Sequence, residues 1–453
     1  MTRFVFLLAF LFCVLNESDA QVRSHFSGSI TVSTQIDSVA DYSNIEVLVA
    51  TQEGEVLDTL GYAVTDVDGR FATDIEARDR GIFPLLIMRN GNVLNASQYV
   101  VADGDSATIR AQLPLGDRSP IIRSPENSAW GAFKNTEAQH NQNLLELLQA
   151  GQNDAASVSR AVELASSLLW SLQTTFPNTF GGELAATKSV VMLDGWNDSL
   201  LVARAEALPA TAPGIVEVIR AGRHALSRTD GLDASLAWVR AYEPQLETSE
   251  QKAALRSELV QAHLDSLNQE LAVQEAQALI DDYPESSWVP WAQSAIYEAE
   301  NLMPGMEAPA LEIATSDSTT FSLADVAGRF AVIEFWSPRN RRYDTQLPQI
   351  EQILLRHIDD PLTWVFVAFE LNDEVLETWY EGRDTYGIQL RASASDVEAL
   401  STAFNIATLP TRVLIDPEGR IIGKYAGDIL LPLDSRLADV LPSTQQVPET
   451  NEG

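Results

Sequence analysis

Cysteine is almost missing from this chain: of 453 residues only Cys13 carries a thiol, and it lies in an apolar run near the start. Downstream of it no disulfide can form and no thiolate can attack sulfur, so stability must come from packed cores and a solvated surface. Lysine is nearly as scarce, Lys134, Lys188, Lys252 and Lys424 being the whole complement. Arginine therefore carries the basic side, and 30 Lys and Arg against 64 Asp and Glu leave a formal charge of -34. That excess argues against nucleic acid and anionic membrane surfaces as general partners. It suits a protein soluble in concentrated salt and an ordinary acidic secreted protein equally. His25, His140, His224, His263 and His357 are far apart and show no metal-ligand spacing, so no metal is expected. No nucleophile elbow, phosphate loop or dinucleotide fingerprint stands out, and no cofactor is expected.

What is present separates by pattern. Residues 1–20 read as a secretory signal: Arg3 supplies the positive start, Phe4 to Leu15 the apolar core, and Ser18-Asp19-Ala20 a small-residue cleavage site. The mature chain is then expected to begin at Gln21, to be extracytoplasmic (periplasmic or secreted) and to lack cysteine. No later run approaches the ~20 apolar residues a spanning helix needs. Residues 24–114 alternate apolar and polar positions in short runs such as Ile45–Val49, Phe71–Ile75, Leu85–Met88 and Ala107–Leu113, with Asp68-Gly69 and Asn90-Gly91 as hairpin signals. This predicts an antiparallel β-sandwich. Asp66 and Asp68 read as turn chemistry, because a calcium loop needs about six oxygen ligands. Residues 126–302 turn to helical spacing, as in Leu144–Leu148, Ala161–Leu172, Ile215–Leu226, Ala253–Leu267 and Ala272–Ile280. The last pair, Ala272–Tyr283 and Trp288–Ala299 around Pro284-Glu285-Ser286, resembles a tetratricopeptide-like hairpin. With no clean period upstream, an irregular all-α domain is expected, Trp288, Trp291 and Tyr297 being packing residues.

The stretch Ala331–Pro348, AVIEFWSPRNRRYDTQLP, is the most informative. Val332, Ile333, Phe335 and Trp336 suit a strand buried on both faces. Leu347, Ile350, Ile353 and Leu354 recur at helical spacing behind it, and Asn340 is a plausible helix cap. This strand, turn and helix resembles the thioredoxin-like TlpA/ResA family of extracytoplasmic thiol:disulfide oxidoreductases, with Phe335-Trp336 and Pro348 in register. Pro304–Leu323 is similar to the family's opening segment and first hairpin, and Phe404–Gly419 to its later P-T-x-F-L-I-D segment, with Pro410 where the family holds a cis proline. The resemblance implies a thioredoxin-like α/β domain over residues 303–441, followed by a disordered tail, 442–453. It also places the family's two cysteines on Asn340 and Tyr343, which can supply no thiolate. Glu334 stands where the family buries an acid, and with no thiol to serve it is expected to be a buried or half-buried acid with no assigned role.

The fold class expected is multidomain α+β: antiparallel sandwich, all-α region, thioredoxin-like domain. Two functions follow. One is a redox-inactive binding or scaffolding module for an envelope protein or acidic peptide. The other, implied by the resemblance, is a thiol:disulfide oxidoreductase or peroxide-reducing protein. The expected site is one of binding, with no catalytic residue: Trp336, Arg339, Arg341 and Arg342 at the turn, and Thr408, Leu409 and Pro410 opposite. The backbone from Ala407 to Leu409 is expected to offer a free edge, and the arginines to favour an anion at the helix start. The competing expectation is that these arginines pair with acids such as Asp344 or Glu370.

Overall fold

The computed structural model describes residues 22–33, 41–53, 56–116, 118–152, 154–315 and 319–441. The expected signal segment with Cys13 and the expected tail lie outside the described residues. The protein is mixed α/β and divides into two compact units, Met1–Leu246 and Glu247–Gly453. The region expected to be all-α is thus shared between them.

The first unit opens with β1 (Val22–Val32), β2 (Glu46–Glu53), β3 (Val56–Val64), β4 (Arg70–Ala77), β5 (Gly81–Arg89), β6 (Asn92–Val101), β7 (Ser106–Leu113) and β8 (Ile121–Arg123). They form two four-stranded sheets, ordered β4-β1-β7-β8 and β3-β2-β5-β6. Phe26, Ile30, Ile75 and Ile109 from one and Val47, Leu85, Ile87 and Tyr99 from the other fill one core. The sandwich is not wholly antiparallel, because β1 runs parallel to β7. Parallel neighbours need a long crossover, and β2 to β6 supply it. Asn90-Gly91 closes the β5–β6 hairpin with both residues at positive φ, 54° and 77°. Asp68-Gly69 instead links β3 to β4, which lie in different sheets. There the Asp66 carboxylate accepts from the Asp68 and Arg70 amides at 3.0 and 2.8 Å. Gly69, at φ 77°, is required: a Cβ would stand 2.1 Å from the Ile30 carbonyl oxygen. Helices α1 (Pro125–Gln149), α2 (Ala155–Thr175), α3 (Phe180–Val191), α4 (Asp198–Ala205), α5 (Ile215–Thr229) and α6 (Leu232–Tyr242) complete this unit.

The second unit begins with α7 (Ser249–Asp265), α8 (Gln269–Asp282) and α9 (Val289–Asn301). Ala253 and Val260, Ala276 and Leu279, and Ala292 and Ala295 pack together, with Trp288 and Trp291 against them. Small residues let these helices approach closely. Strands β9 (Glu312–Ala314) and β10 (Thr320–Ser322) pair as a hairpin. Next come β11 (Phe330–Trp336), α10 (Tyr343–Arg356), β12 (Leu362–Ala368), α11 (Asp373–Tyr380), β13 (Ile388–Arg391), α12 (Ala394–Ala403), β14 (Thr411–Ile415), β15 (Ile421–Ala426) and α13 (Leu431–Val440). The sheet order is β13-β12-β11-β14-β15, parallel from β13 to β11 and antiparallel beyond.

Strand β11 is central and covered on both faces, which is why its sequence is apolar at every position but Glu334. Ile333, Phe335, Val365 and Val413 face a core closed by Leu400 of α12 and by Phe404 just after it. Val332, Trp336, Trp364 and Leu414 face the other, closed by Ile350 and Ile353 of α10 and Leu433 and Leu437 of α13. No helix among the described residues is long and apolar enough to cross a membrane.

Glu334 shares that second face and is fully buried beside Arg412, its cross-strand partner in the β11–β14 register. Oε1 accepts from Arg412 Nε at 2.9 Å, and a terminal guanidinium nitrogen lies 2.7 Å away. Oε2 accepts from Trp364 Nε1 at 2.7 Å. The rest of the guanidinium donates to Gln346 Oε1 (2.6 Å) and the Gly427 carbonyl (3.2 Å). Burial pushes the Glu334 carboxyl up from its ordinary range, opposed by the Arg412 charge and the bonds from Arg412 and Trp364. Removing one partner strands the other charge, so Glu334→Gln and Arg412→Met are each expected to cost about 3–5 kcal/mol. The double replacement Glu334→Met/Arg412→Met should cost less than either single change. Urea denaturation read by tryptophan fluorescence checks this, and additive costs would refute the coupling.

Candidate binding site at the turn after the central strand

The chain leaves β11 at Trp336, passes through a turn, and enters α10 at Tyr343. Asn340 is not the helix cap. The Asn340 amide donates to the Ser337 carbonyl, Tyr343 N to the Asn340 carbonyl at 3.0 Å, and Arg342 is the residue at the cap position, with no side-chain cap bond. Asn340 Oδ1 accepts from Arg342 N at 3.0 Å, a bond local to the turn. Its Nδ2 crosses to the other segment and donates to the Leu409 carbonyl at 3.0 Å. Asn340 and Leu409 are thus brought together across the expected site.

On the edge from Ala407 to Leu409, expected to be free, two carbonyls are taken. The Thr408 carbonyl accepts from Thr411 Oγ1 at 2.7 Å and the Leu409 carbonyl from Asn340. Pro410, buried and preceded by a cis bond, has its carbonyl taken by Gly427 N at 2.8 Å. Thr408 is exposed and Leu409 half-buried.

The arginines do not act together. Arg339 donates from Nε and a terminal nitrogen to both oxygens of Glu370, at 2.7 and 3.1 Å. This forked pair is the competing expectation, fulfilled for Glu370. Asp344 instead accepts from Arg383 at 3.1 Å and Trp379 Nε1 at 3.0 Å. Arg342 lies 3.5 Å from Asp428. Arg341 is exposed and has no ion-pair partner among the described residues.

Trp336, a candidate for the binding site that was also expected in a strand buried on both faces, and Tyr343, at one of the two degenerate positions, are each only 1% exposed, so neither side chain is open to a partner. Their rings stack with centroids 4.9 Å apart and an interplanar angle of 15°. Burial, and then the charge of Glu334, push the Tyr343 phenol far up, so it stays protonated. Its hydroxyl feels that carboxylate without hydrogen-bond geometry to it. Residues that sequence reasoning missed are Arg412, Gln346 and Asp428. Gln346 Nε2 donates to Asp428 at 2.9 Å while its Oε1 accepts from Arg412, which ties α10 to the end of β15. Their spacing along the chain gives no signal. Among the described residues no group of three or more His, Cys, Asp or Glu side chains could hold a metal ion.

No protein-family model matches the sequence, and no curated protein does. Solved structures similar to part of it include the thioredoxin domain of a thiol-disulfide oxidoreductase from Bacteroides vulgatus, 24% identical over 30% of this chain and 99% of that one, with a TM-score of 0.28. A thiol:disulfide interchange protein from Bacteroides sp. is 22% identical over 34% of this chain and 99% of its own, TM-score 0.29. A thioredoxin family protein from Chlorobium tepidum is 18% identical over 31% and 97%, TM-score 0.27.

The Arg339 pair has a consequence for acid titration. The hydrogen bond from Arg339, reinforced by the Asn372 amide, holds the Glu370 carboxyl below its ordinary range. A depressed folded pKa contributes stability that is present above about pH 4.3 and is lost as pH falls through the folded value. Arg339→Gln should raise the Glu370 midpoint and shift that loss to higher pH. Carboxyl-carbon NMR titration reads it directly, and an unmoved midpoint would show that the backbone amide alone sets the acidity.

Proposed function

We propose that this is an extracytoplasmic protein whose C-terminal unit is a redox-inactive, thioredoxin-like binding module for an envelope protein or acidic peptide. The observation that carries this reading is the Asn340 to Leu409 bond. At the position where the resemblance puts the attacking thiol, a carboxamide instead joins the helix start to the segment before Pro410. Its other end is used within the turn, and Tyr343 is locked in the core as a neutral phenol. Binding then falls to what remains outside. Arg339 is committed to Glu370 and Arg342 lies 3.5 Å from Asp428, so Arg341 and the outer side of the exposed Arg342 are left to meet an acidic partner.

Chain from Gln21 onward is expected to give no turnover above a buffer blank in insulin-disulfide reduction or in dithiol-driven peroxide consumption. Turnover would establish the alternative, a thiol:disulfide oxidoreductase or peroxide-reducing protein. Asn340→Cys/Tyr343→Cys should yield a disulfide titratable with dithiothreitol, since a turn closed by a Tyr343 N to Asn340 O bond brings the two Cα atoms within about 7 Å. For binding, Arg341→Gln/Arg342→Gln should weaken capture of an octaglutamate peptide about tenfold in 50 mM salt, the parent weakening likewise as salt rises. Salt-independent, equal capture by both would return these arginines to plain solvation.

A further inference from the structure

Strand β15 lies at one edge of the five-stranded sheet, and its outer side is only partly covered. Gly427 N donates to the Pro410 carbonyl at 2.8 Å, and in the antiparallel β14–β15 register the pairs that bond across the ladder then fall on every second residue, Arg412 with Tyr425 included. Lys424 and Ala426 fall between them and turn their N–H and C=O groups outward. At the start of the strand that outer side is occupied by the chain itself: Ile421 N donates to the Met306 carbonyl at 2.8 Å, and the Ile421 carbonyl accepts from Gly305 N at 2.7 Å. The cover stops there. Among the described residues nothing pairs with the amides or carbonyls of Lys424 and Ala426, and Ala426 is exposed.

A groove of about 520 Å³ opens along this bare stretch, lined by residues 423–426 on one side and by the end of α7 and the length of α9 on the other. Leu264, Leu267, Trp291 and Met303 give it an apolar wall. An unpaired strand edge invites a further strand, and natural proteins guard such edges with lysine or proline. Lys424 does not guard this one, because its ammonium is turned to Glu298 at 2.6 Å and to the Asn405 carbonyl at 2.9 Å. Of the charged side chains at the lining two are acids, Asp265 and Glu298, and Lys424 is the single base, so an acidic segment would meet carboxylates and no uncommitted cation. A second copy of this chain would bring a β15 edge flanked by its own α9, together with a second acidic surface. The groove suits a single strand instead. We propose that the open stretch of β15 is a docking site for an extended, basic and apolar peptide segment of a partner, which joins the sheet as a further strand paired with Lys424 and Ala426 and lays its apolar side chains on the wall of the groove. The site is separate from the arginines that the proposed function uses, and it does not require that reading.

The test titrates full chain from Gln21, ¹⁵N-labelled, with the peptide acetyl-Lys-Val-Thr-Val-Thr-Val-Lys-amide and follows amide hydrogen exchange by NMR. Saturable binding is expected below about 1 mM peptide, with slowed exchange at the Lys424 and Ala426 amides. The same peptide N-methylated at its interior amides cannot donate to the two carbonyls and should bind about tenfold more weakly. An analogue with glutamate at both ends should also bind more weakly, by a margin that narrows as salt rises. Ala426→Pro removes an outward N–H that the ladder does not use, a change that edge strands tolerate, and should weaken the peptide about fivefold with thermal unfolding little altered. Leu267→Asn takes away part of the apolar wall at a residue whose φ of 57° suits asparagine, and should weaken it about threefold. The proposal is overturned by no saturation up to that concentration, by unchanged exchange at both amides, by equal binding of the N-methylated or glutamate-ended peptide, or by full binding in either variant. Light scattering covers the other occupant: a dimer that Ala426→Pro dissolves would assign the edge to a second copy and overturn the peptide reading too.

Discussion

The second unit depends on one buried ion pair. Glu334 and Arg412 face each other across β11 and β14 with no exposure to solvent, and both would be intolerable there alone. Each remaining polar atom of the pair is therefore recruited. Trp364 of β12 takes the second carboxylate oxygen, Gln346 of α10 one guanidinium nitrogen, and the Gly427 carbonyl after β15 another. Three strands, one helix and one turn are fixed relative to a single charge centre. A register slip of one residue would turn Glu334 and Arg412 to opposite faces, so the pair penalises every misaligned pairing of the sheet.

That constraint also shapes the turn. Gln346 is held by Arg412 below and Asp428 beyond, which sets the rotation of α10 about its axis. With the helix so placed, Tyr343 points into the core and stacks on Trp336, while Asn340, three residues earlier, meets Leu409. Arg339 reaches Glu370 just past β12. The surface left over is narrower than a count of three arginines suggests.

The sequence made some of this legible for physical reasons. A strand buried on both faces must be largely apolar, and AVIEFW is except for Glu334; an amphipathic helix must repeat every three to four residues, and α10 and α5 do. Helix α3 was missed because FGGELAATKSVV buries small residues on several sides and has no apolar stripe to find. Asp68-Gly69 was read as a hairpin because turn residues report a local reversal and not which sheet the next strand joins. Arg412 was unremarkable because an arginine inside TRVLI looks like an exposed position in an alternating strand. Its partner is 78 residues away, and only strand register brings the two together.

Asn340 illustrates why the site was harder to read than the fold. Its residue type is equally good as a helix cap, a turn former or a surface amide, and all three use the same oxygen. What decides among them is Nδ2, whose acceptor belongs to a segment 69 residues later. A thiolate at this position would present a nucleophile to a partner's sulfur; the carboxamide presents its donor to its own chain. The neighbouring carbonyls of Thr408 and Pro410 are taken as well. A visiting backbone N–H must then compete with three internal bonds for these carbonyls, whereas Arg341 and Arg342 are exposed to solvent. Under the proposed binding role, recognition at this turn favours charge over strand pairing.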